Sequence, residues 1–307
     1  MSNRSAGSPL QRHAVLGLGG VGGLIATLLS AGGHSVAAIV RSDPNERMDV
    51  SLERPDGTIV RGTVRSVTVL DGEVDILWVA PKATQLRDAL HAVASLRPSL
   101  VVPLLNGIDH MSVLRDVFGN DVLVPATISV ETEKLAPGRF RQSSPFINLT
   151  LAENAKAALA STTHTLAGFG VDVRYIDDEQ TLLWSKLVFL APLALATSAA
   201  GEPLGFVRDT PEWRERLEAA VREVAAVALA CGASVEAHGA LELIGRAKPG
   251  MRSSMQKDVE AGREPELDAI GGTILRAARA HGMPVPTIED LIERTRARVA
   301  ARAASSS

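Results

Sequence analysis

The chain has 307 residues, a formal net charge of −3 and a hydrophobic fraction of 46%. This length allows two domains with separate cores, and the apolar fraction is that of an ordinary globular protein. Since the charge is slightly acidic and no long basic run occurs, we expect no binding to nucleic acid.

The first motif is a glycine-rich stretch that follows the apolar run 14–16 and precedes a helical segment. Its residues are Gly17, Leu18, Gly19, Gly20, Val21 and Gly22. Gly17 permits a tight turn, Gly19 lets the backbone approach a pyrophosphate, and Gly22 allows close packing of helix on strand. The helix N-terminus offers free N–H groups to the phosphates. The motif therefore predicts dinucleotide binding, with a purely structural turn as the alternative.

Short apolar runs typical of β-strands recur through the first half of the chain. They are residues 13–18, 35–40, 58–64, 76–80, 100–105 and 122–127, with added strands at 139–146 and 171–176. The helical stretches are 21–31, 85–95 and one near 154–168. Because this alternation is typical of a doubly wound parallel sheet, we predict a Rossmann-type α/β domain over residues 13–177.

From residue 178 onward, alanine, leucine and charged residues recur at helical spacing. An all-helical C-terminal domain is therefore predicted over residues 178–302, and we expect the substrate in the cleft between the two domains. Residues 1–12 and 303–307 are expected to be disordered tails.

Arg41 stands just after the second predicted strand, where this kind of fold meets the adenosine ribose. An acidic residue there would bind the ribose 2′-hydroxyl of NAD, whereas a guanidinium suits the 2′-phosphate of NADP. NADPH is therefore the predicted cofactor. A solvated surface arginine is the alternative, and Asp43 nearby keeps NAD open.

Two polar residues follow successive predicted strands. Lys82 could meet phosphate or ribose oxygens of the cofactor, and the amide of Asn106 could bind a ribose hydroxyl or a substrate oxygen. Each alone could equally be a turn residue. Their shared position at the carboxyl edge of the sheet favours a role in binding.

Lys186 lies in a helical segment that is apolar nearly all round. A lysine there is disfavoured unless it has a partner or a task. Because desolvation lowers the pKa of a lysine, it becomes a better proton donor near neutral pH. We predict a general acid at Lys186, with a side chain that reaches out to solvent as the alternative.

A polar stretch at 251–268 holds two further candidates. Ser254 could hydrogen-bond a substrate oxygen, and Glu266 could hold a hydroxyl or pair with a cationic neighbour. By composition alone, an ordinary polar helix start is the favoured interpretation.

The cysteine and histidine content predicts a cytoplasmic protein without a metal. Cys231 is the only cysteine, which fits a reducing compartment, and the histidines lack the paired spacing of a zinc site. The polar residues 1–9 do not look like a secretion signal. No apolar run reaches the length of a membrane span, so no membrane partner is expected.

The motifs together resemble the ketopantoate reductase family, the 2-dehydropantoate 2-reductases, over nearly the whole chain. The resemblance implies an NADPH-dependent enzyme of pantothenate biosynthesis that reduces ketopantoate to pantoate. In that family the lysine that matches Lys186 is the general acid, and the residues that match Lys82 and Asn106 serve cofactor and substrate. Those that match Ser254 and Glu266 contact substrate or cofactor. We therefore assign Lys186 and Glu266 to catalysis, with Asn106 in support.

The helix after Lys186 departs from the family pattern. The family usually has substrate-binding asparagines there, and this chain has Leu190 and Ala194. Because a site without those hydrogen bonds discriminates less, the alternative to a ketopantoate reductase is a paralogue acting on a more apolar carbonyl compound. A non-catalytic NADP-binding redox sensor is a third hypothesis, which Lys186 disfavours. A homodimer is expected from the extensive helical surface.

Overall fold

The computed structural model describes residues 11–304, which divide into two compact units. The first comprises the residues up to Leu105 together with His110–Asp177. The second comprises Asn106–Asp109 and the residues from Asp178 onward. Residues 106–109, predicted from the sequence to lie in the first domain, thus belong to the second unit.

The first unit is an α/β structure with a large mixed sheet. Its strands are β1 (Arg12–Leu16), β2 (Ser35–Ile39), β3 (Met48–Glu53), β4 (Ile59–Val67), β5 (Gly72–Val79), β6 (Leu96–Pro103), β7 (Ala126–Ser129), β8 (Thr132–Ala136), β9 (Arg139–Gln142), β10 (Asn148–Ala152) and β11 (Asp172–Ile176). Its helices are α1 (Gly20–Ala31), α2 (Leu86–Leu90), α3 (His110–Phe118) and α4 (Ala160–Gly168).

The large sheet has eight strands in the order β6-β5-β1-β2-β4-β3-β9-β8, and β11-β10-β7 form a second sheet. The five strands from β6 to β4 are all parallel to their neighbours. Beyond them, β3 runs antiparallel to β4. The strand order reverses at β1, because β2 lies on one side of it and β5 on the other. This switch point is where doubly wound folds bind their ligands.

The parallel core confirms the predicted fold class, while the outer strands depart from the sequence pattern. Strands β3, β8 and β10 were not predicted. In β8, Glu133, Lys134 and Leu135 are exposed, as is common at a sheet edge, so no apolar run marks the strand. The predicted helix 85–95 is broken into α2 flanked by 3-10 turns at Ala83–Gln85 and His91–Val93.

The second unit is built from helices around α5. The helices are α5 (Glu179–Ala200), α6 (Leu204–Asp209), α7 (Pro211–Ala230), α8 (Ala237–Arg246), α9 (Ser254–Glu260), α10 (Thr273–Ala280) and α11 (Pro286–Ala304), with a π-helical turn at Asp268–Gly272 before α10. Contrary to the expectation that no apolar run reaches the length of a membrane span, α5 is the one helix among the described residues that is long and apolar enough to cross a membrane, and 78% of its apolar window is buried. It is the core helix of this unit.

The ordered chain extends into both predicted tails. Arg12 begins β1, where its backbone N–H donates a 2.7 Å hydrogen bond to Asp75 Oδ2, and α11 continues to Ala304. Sheet pairing therefore orders residue 12, and helix continuation orders residues 303 and 304, while Gln11 is held by hydrogen bonds from its N to His34 Nδ1 and from its Nε2 to Ala158 O. The remainder of the predicted tails, residues 1–10 and 305–307, lies outside the described residues.

Candidate active site

Three polar residues of the second unit form a hydrogen-bonded chain. Lys186 Nζ donates to Asn106 Oδ1 at 2.9 Å, and Asn106 Nδ2 donates to Glu266 Oε2 at 3.0 Å. The two charges fix the orientation of the amide, since the opposite orientation would turn its NH₂ toward an ammonium and its oxygen toward a carboxylate. The structure thus brings together three of the residues singled out in the sequence.

Lys186 retains some exposed surface, yet burial of its ammonium controls its acidity. Desolvation lowers the pKa of Lys186 to about 8, and the negative charge of Glu266 opposes that shift. The ammonium is therefore mostly protonated at neutral pH and loses its proton more readily than a surface lysine. An ammonium has three N–H donors, of which Asn106 uses one. This arrangement can supply a proton to a developing alkoxide.

The segment Asn106–Asp109 is held against the π-helical turn Asp268–Gly272. Gly107 has a φ of +78°, and a Cβ there would overlap the carbonyl oxygen of Ala269. A glycine is required for this close approach because it has no side chain and tolerates positive φ. The contact places Asn106 beside Glu266, whose carbonyl accepts from Ile270 N at 3.1 Å in the same turn.

Arg276, which the sequence analysis did not single out, holds the other end of this segment. Its Nε and Nη2 donate to Asp109 Oδ2 at 3.0 and 2.6 Å. Its Nη1 donates to Asp268 Oδ1 at 2.8 Å. One guanidinium on α10 therefore joins the Asn106 segment to the turn that follows Glu266. No local sequence pattern marks it, because 167 positions separate Asp109 from Arg276.

The two positions that follow Lys186 by one and two helical turns on α5 carry apolar residues. Leu190, one helical turn further on, is partly exposed, whereas Ala194 is 1% exposed and belongs to the hydrophobic core of the unit. Only Leu190 of these two positions has surface to present to a ligand.

Ser254 is not joined to the chain of Lys186, Asn106 and Glu266 by any hydrogen bond among residues 11–304. It is the exposed first residue of α9. The preceding Ser253 is the N-cap of this helix, and its Oγ accepts from Gln256 N at 3.0 Å.

The glycine turn of the first unit lies at the switch point between β1 and β5. Gly17 has a φ of +92°, and a Cβ there would lie 2.6 Å from Pro81 N, in the turn after β5. A Cβ at Gly22 would overlap the carbonyl of Gly17. Glycine is therefore required at both positions for the turn and for the packing of α1 on β1.

The N-terminus of α1 fits a dinucleotide pyrophosphate. Gly19, its N-cap, is exposed, and among the described residues nothing lies within 4 Å of the position of a Cβ there. No side chain caps the helix, and its first turn carries no acidic residue. The open backbone and the free N–H groups suit a phosphate group.

Two basic residues follow β2 and β5, the two strands that flank β1 in the parallel core. Arg41, two residues after β2, is exposed and makes no hydrogen bond or ion pair in the part of the chain that the structure describes. Lys82, after β5, is partly buried. Residues 11–304 contain no group of three or more His, Cys, Asp or Glu residues placed to hold a metal ion.

Comparisons with known proteins match both units. Residues 13–155 match the family model "Ketopantoate reductase PanE/ApbA", and residues 178–299 match "Ketopantoate reductase PanE/ApbA C terminal". A 2-dehydropantoate 2-reductase of Caulobacter vibrioides is 29% identical over 282 residues, which cover 89% of this chain and 94% of the relative.

Solved structures show the same fold. A PanE/ApbA family ketopantoate reductase from Ralstonia eutropha has a TM-score of 0.83 at 24% identity, covering 95% of this chain and 99% of that one. A ternary structure of D-mandelate dehydrogenase with NADH and anilino(oxo)acetate has a TM-score of 0.83 at 19% identity, with the same coverage.

Proposed function

This chain belongs to the ketopantoate reductase family, and we propose from that premise that it reduces a 2-oxo acid to the 2-hydroxy acid with NADPH, ketopantoate being the leading substrate. As a family member it is an oxidoreductase that acts on CH–OH groups and uses a nicotinamide dinucleotide. The observation that carries the proposal is the hydrogen-bonded chain Lys186–Asn106–Glu266, with a lysine pKa of about 8.

Lys186 is the general acid of the proposed reaction. Bound NADPH supplies the hydride for the carbonyl carbon, and Lys186 Nζ gives a proton to the carbonyl oxygen as it becomes an alkoxide. Asn106 orients the ammonium through its 2.9 Å hydrogen bond, and Glu266 keeps the ammonium charged before the reaction. Each role uses a contact or a charge that is already present around Nζ.

The first unit holds the cofactor in this proposal. The turn at Gly17, Gly19 and Gly22 and the N-terminus of α1 bind the pyrophosphate. Arg41 binds the ribose 2′-phosphate, which favours NADPH over NADH, and Lys82 contacts phosphate or ribose oxygens. The exposed guanidinium of Arg41 supports this role, since no described residue competes for it.

A more apolar 2-oxo acid is the second candidate substrate. It is favoured by Leu190, which has partly exposed apolar surface one helical turn from the proposed general acid. An asparagine at this position would hydrogen-bond a hydroxyl, whereas a leucine favours an aliphatic or aromatic group. Ser254, exposed at the start of α9, is proposed as a further substrate contact.

We also place the protein in the cytoplasm as a soluble enzyme, because the long apolar helix α5 is a buried core helix. A homodimer is part of the proposal, and sedimentation of the purified chain tests it.

Steady-state NADPH oxidation with a panel of 2-oxo acids tests the proposed reaction. We expect turnover of ketopantoate above that of the other acids, and a loss of about 10²- to 10⁴-fold in kcat for Lys186→Ala. Lys257→Ala, which removes an exposed lysine of the same unit, is the matched control. NADPH binding by both variants, measured by fluorescence, separates a catalytic defect from a cofactor defect.

Three results would count against parts of the proposal. Equal turnover of ketopantoate and the other acids would refute the specific substrate. A Lys186→Ala variant as active as the wild type would refute the general acid. If the wild-type protein binds NADPH but reduces no carbonyl compound, it is a redox sensor and not a reductase.

A further inference from the structure

The connection between β2 and β3 crosses the carboxyl end of β4. At its start, Val40 N donates to Val67 O at 2.8 Å. At its end, Asn45 N donates to Ser66 O at 3.2 Å, and Ser66 N donates to Asn45 O at 2.8 Å. Because β2 and β3 flank β4 in the sheet, the two ends of the connection lie on opposite sides of β4, about 10 Å apart. The loop 41–44 therefore spans the end of the sheet at which the cofactor is proposed to bind.

Asp43 lies in this loop with a left-handed backbone conformation. Its φ is +56°, and it is the one non-glycine residue with a positive φ in the part of the chain that the structure describes. Such a conformation is uncommon for a residue with a side chain, and Pro44 follows it directly. Strained residues of this kind cluster at ligand-binding and active sites, where the surrounding contacts hold them.

A β-bulge changes the direction of Arg47 at the end of the connection. Met48 pairs with Val64 in the ladder of β3 and β4, and the next backbone pair joins Asn45 to Ser66. Two residues thus stand between these pairs on one strand and a single residue on the other, which defines a bulge. Arg47 N also donates to Asn45 Oδ1 at 3.0 Å. Bulges are common beside active sites because they redirect a side chain.

Arg41 and Arg47 stand at the two ends of this loop, and both guanidinium groups are unpaired. Each residue is exposed, and neither side chain makes a hydrogen bond or an ion pair among residues 11–304. The acidic residues Asp43 and Glu46 lie close by in the sequence, yet neither pairs with an arginine. Asp43 Oδ2 instead accepts from Ser42 Oγ at 3.0 Å. Two unpaired guanidinium groups at the ends of one short loop favour a shared anionic ligand.

We propose that Arg47 is the second guanidinium of the 2′-phosphate site and binds the phosphate from the side opposite Arg41. A phosphate monoester carries a charge of about −1.5 to −2 at neutral pH and three acceptor oxygens, so it can bind two guanidinium groups at once. NADH has a hydroxyl in its place and needs neither. The nicotinamide dinucleotide itself follows from the family, so the two arginines decide only which form binds. This inference rests on the proposed use of NADPH and on the role proposed for Arg41.

Isothermal titration of the full chain separates the 2′-phosphate from the rest of the cofactor. The probes are NADPH with NADH, and adenosine 2′,5′-bisphosphate with 5′-AMP, because the members of each pair differ in the 2′-phosphate alone. We expect Arg47→Ala to weaken NADPH and the bisphosphate about tenfold or more, while NADH and 5′-AMP change less than about twofold. Arg47→Lys should keep part of the affinity, since it keeps the charge and loses the forked contacts.

Arg61→Ala is the matched control. Arg61 is an exposed arginine of β4, the strand that the loop crosses, and its side chain has no partner among residues 11–304. Its removal lowers the charge of the same sheet by the same amount, so all four affinities should stay at their wild-type values. Circular dichroism of each variant establishes that it is folded.

The outcomes separate this inference from the proposed function. If the wild type binds NADPH and NADH equally, the proposed preference for NADPH fails, and the role of Arg47 fails with it. If Arg41→Asp loses a wild-type preference for NADPH while folded Arg47→Ala keeps it, the role of Arg47 alone is overturned. It is also overturned if Arg47→Ala weakens NADH as much as NADPH, or if Arg61→Ala weakens NADPH as much as Arg47→Ala does.

Discussion

Lys186 and Asn106 are 80 positions apart in the sequence, yet Lys186 Nζ lies 2.9 Å from Asn106 Oδ1. The core helix α5 thus brings the ammonium to the segment Asn106–Asp109. This four-residue segment belongs to the helical unit, although the chain before and after it belongs to the α/β unit. Glu266 completes the arrangement from the other side of the amide. Burial and the carboxylate of Glu266 therefore set the acidity of the Lys186 ammonium, whereas the amide of Asn106 sets its orientation.

Loss of the guanidinium of Arg276 should impair turnover without removing any group of the proposed chemistry. Arg276→Ala removes the guanidinium that joins Asp109 to Asp268, so Asn106 is held less firmly against Lys186. We expect kcat to fall about tenfold, with a smaller effect on NADPH binding. Steady-state kinetics measures the split between kcat and KM.

Arg279→Ala on the same helix controls for a general effect on α10, because Arg279 is exposed. Arg276→Lys should restore only part of the activity, since an ammonium cannot make the forked contacts of a guanidinium. An unchanged kcat in folded Arg276→Ala would show that Arg276 does not position Asn106.

Arg41 should determine the choice between the two nicotinamide cofactors. Arg41→Asp introduces a carboxylate that repels a 2′-phosphate and suits a 2′-hydroxyl, so NADPH binding should weaken while NADH binding is kept or improved. Fluorescence titration with each cofactor measures the ratio of the two dissociation constants. An unchanged ratio would place the ribose contact elsewhere.

Leu190 should select against polar substrates. Leu190→Asn places an amide one turn after Lys186 and should lower the KM for ketopantoate while raising it for 2-oxo acids with aliphatic side chains. Leu243→Asn, at a leucine that is 58% exposed on α8, is the control for a surface change of the same kind. Equal effects on both classes of acid would mean that Leu190 does not contact the substrate.

His13 should make the stability of the first unit depend on pH. His13 is 1% exposed, and its Nδ1 accepts from Trp78 Nε1 at 3.1 Å, so its Nε2 donates to His34 Nδ1 at 3.2 Å. Burial, followed by the charge of His34, lowers the pKa of His13 to about 3, while the charge of Asp75 opposes the shift. A protonated ring would direct Nδ1–H at the indole N–H.

Because the pKa is lowered in the folded state, the unfolded chain binds the proton first as pH falls below about 6.5. The free energy of unfolding should therefore drop by about 2 kcal/mol between pH 6.5 and 5, measured by urea denaturation. His13→Gln should flatten this slope, and His164→Gln, at an exposed histidine of α4, should not. Equal slopes in wild type and His13→Gln would contradict the assignment.

The sequence predicted those features that have a local signature. Three such features lie where expected along the chain: the glycine turn, the buried parallel strands and the lysine in an apolar helix. Each of them can be recognised from a short stretch of sequence. By contrast, β3 and β10 mix polar and apolar residues, and β8 is largely exposed, so they give no apolar run.

The inserted segment could not be predicted for a different reason. Asn106–Asp109 belongs to the helical unit because Gly107 packs on Ala269 and Arg276 binds Asp109. Such pairings join residues more than 150 positions apart and leave no periodicity in the chain. The sequence indicated Asn106 and Glu266 as separate candidates, whereas their hydrogen bond to each other emerged only from the fold.

The pH dependence of kcat with saturating 2-oxo acid and NADPH tests most directly whether Lys186 is a general acid tuned by Glu266. The wild-type rate should fall as pH rises through about 8, where Lys186 loses its proton. In Glu266→Gln the descending limb should move to lower pH, since the charge that raises the lysine pKa is gone, while Glu264→Gln, at an exposed position, should leave it in place. A descending limb at the same pH in Glu266→Gln and wild type would contradict this account.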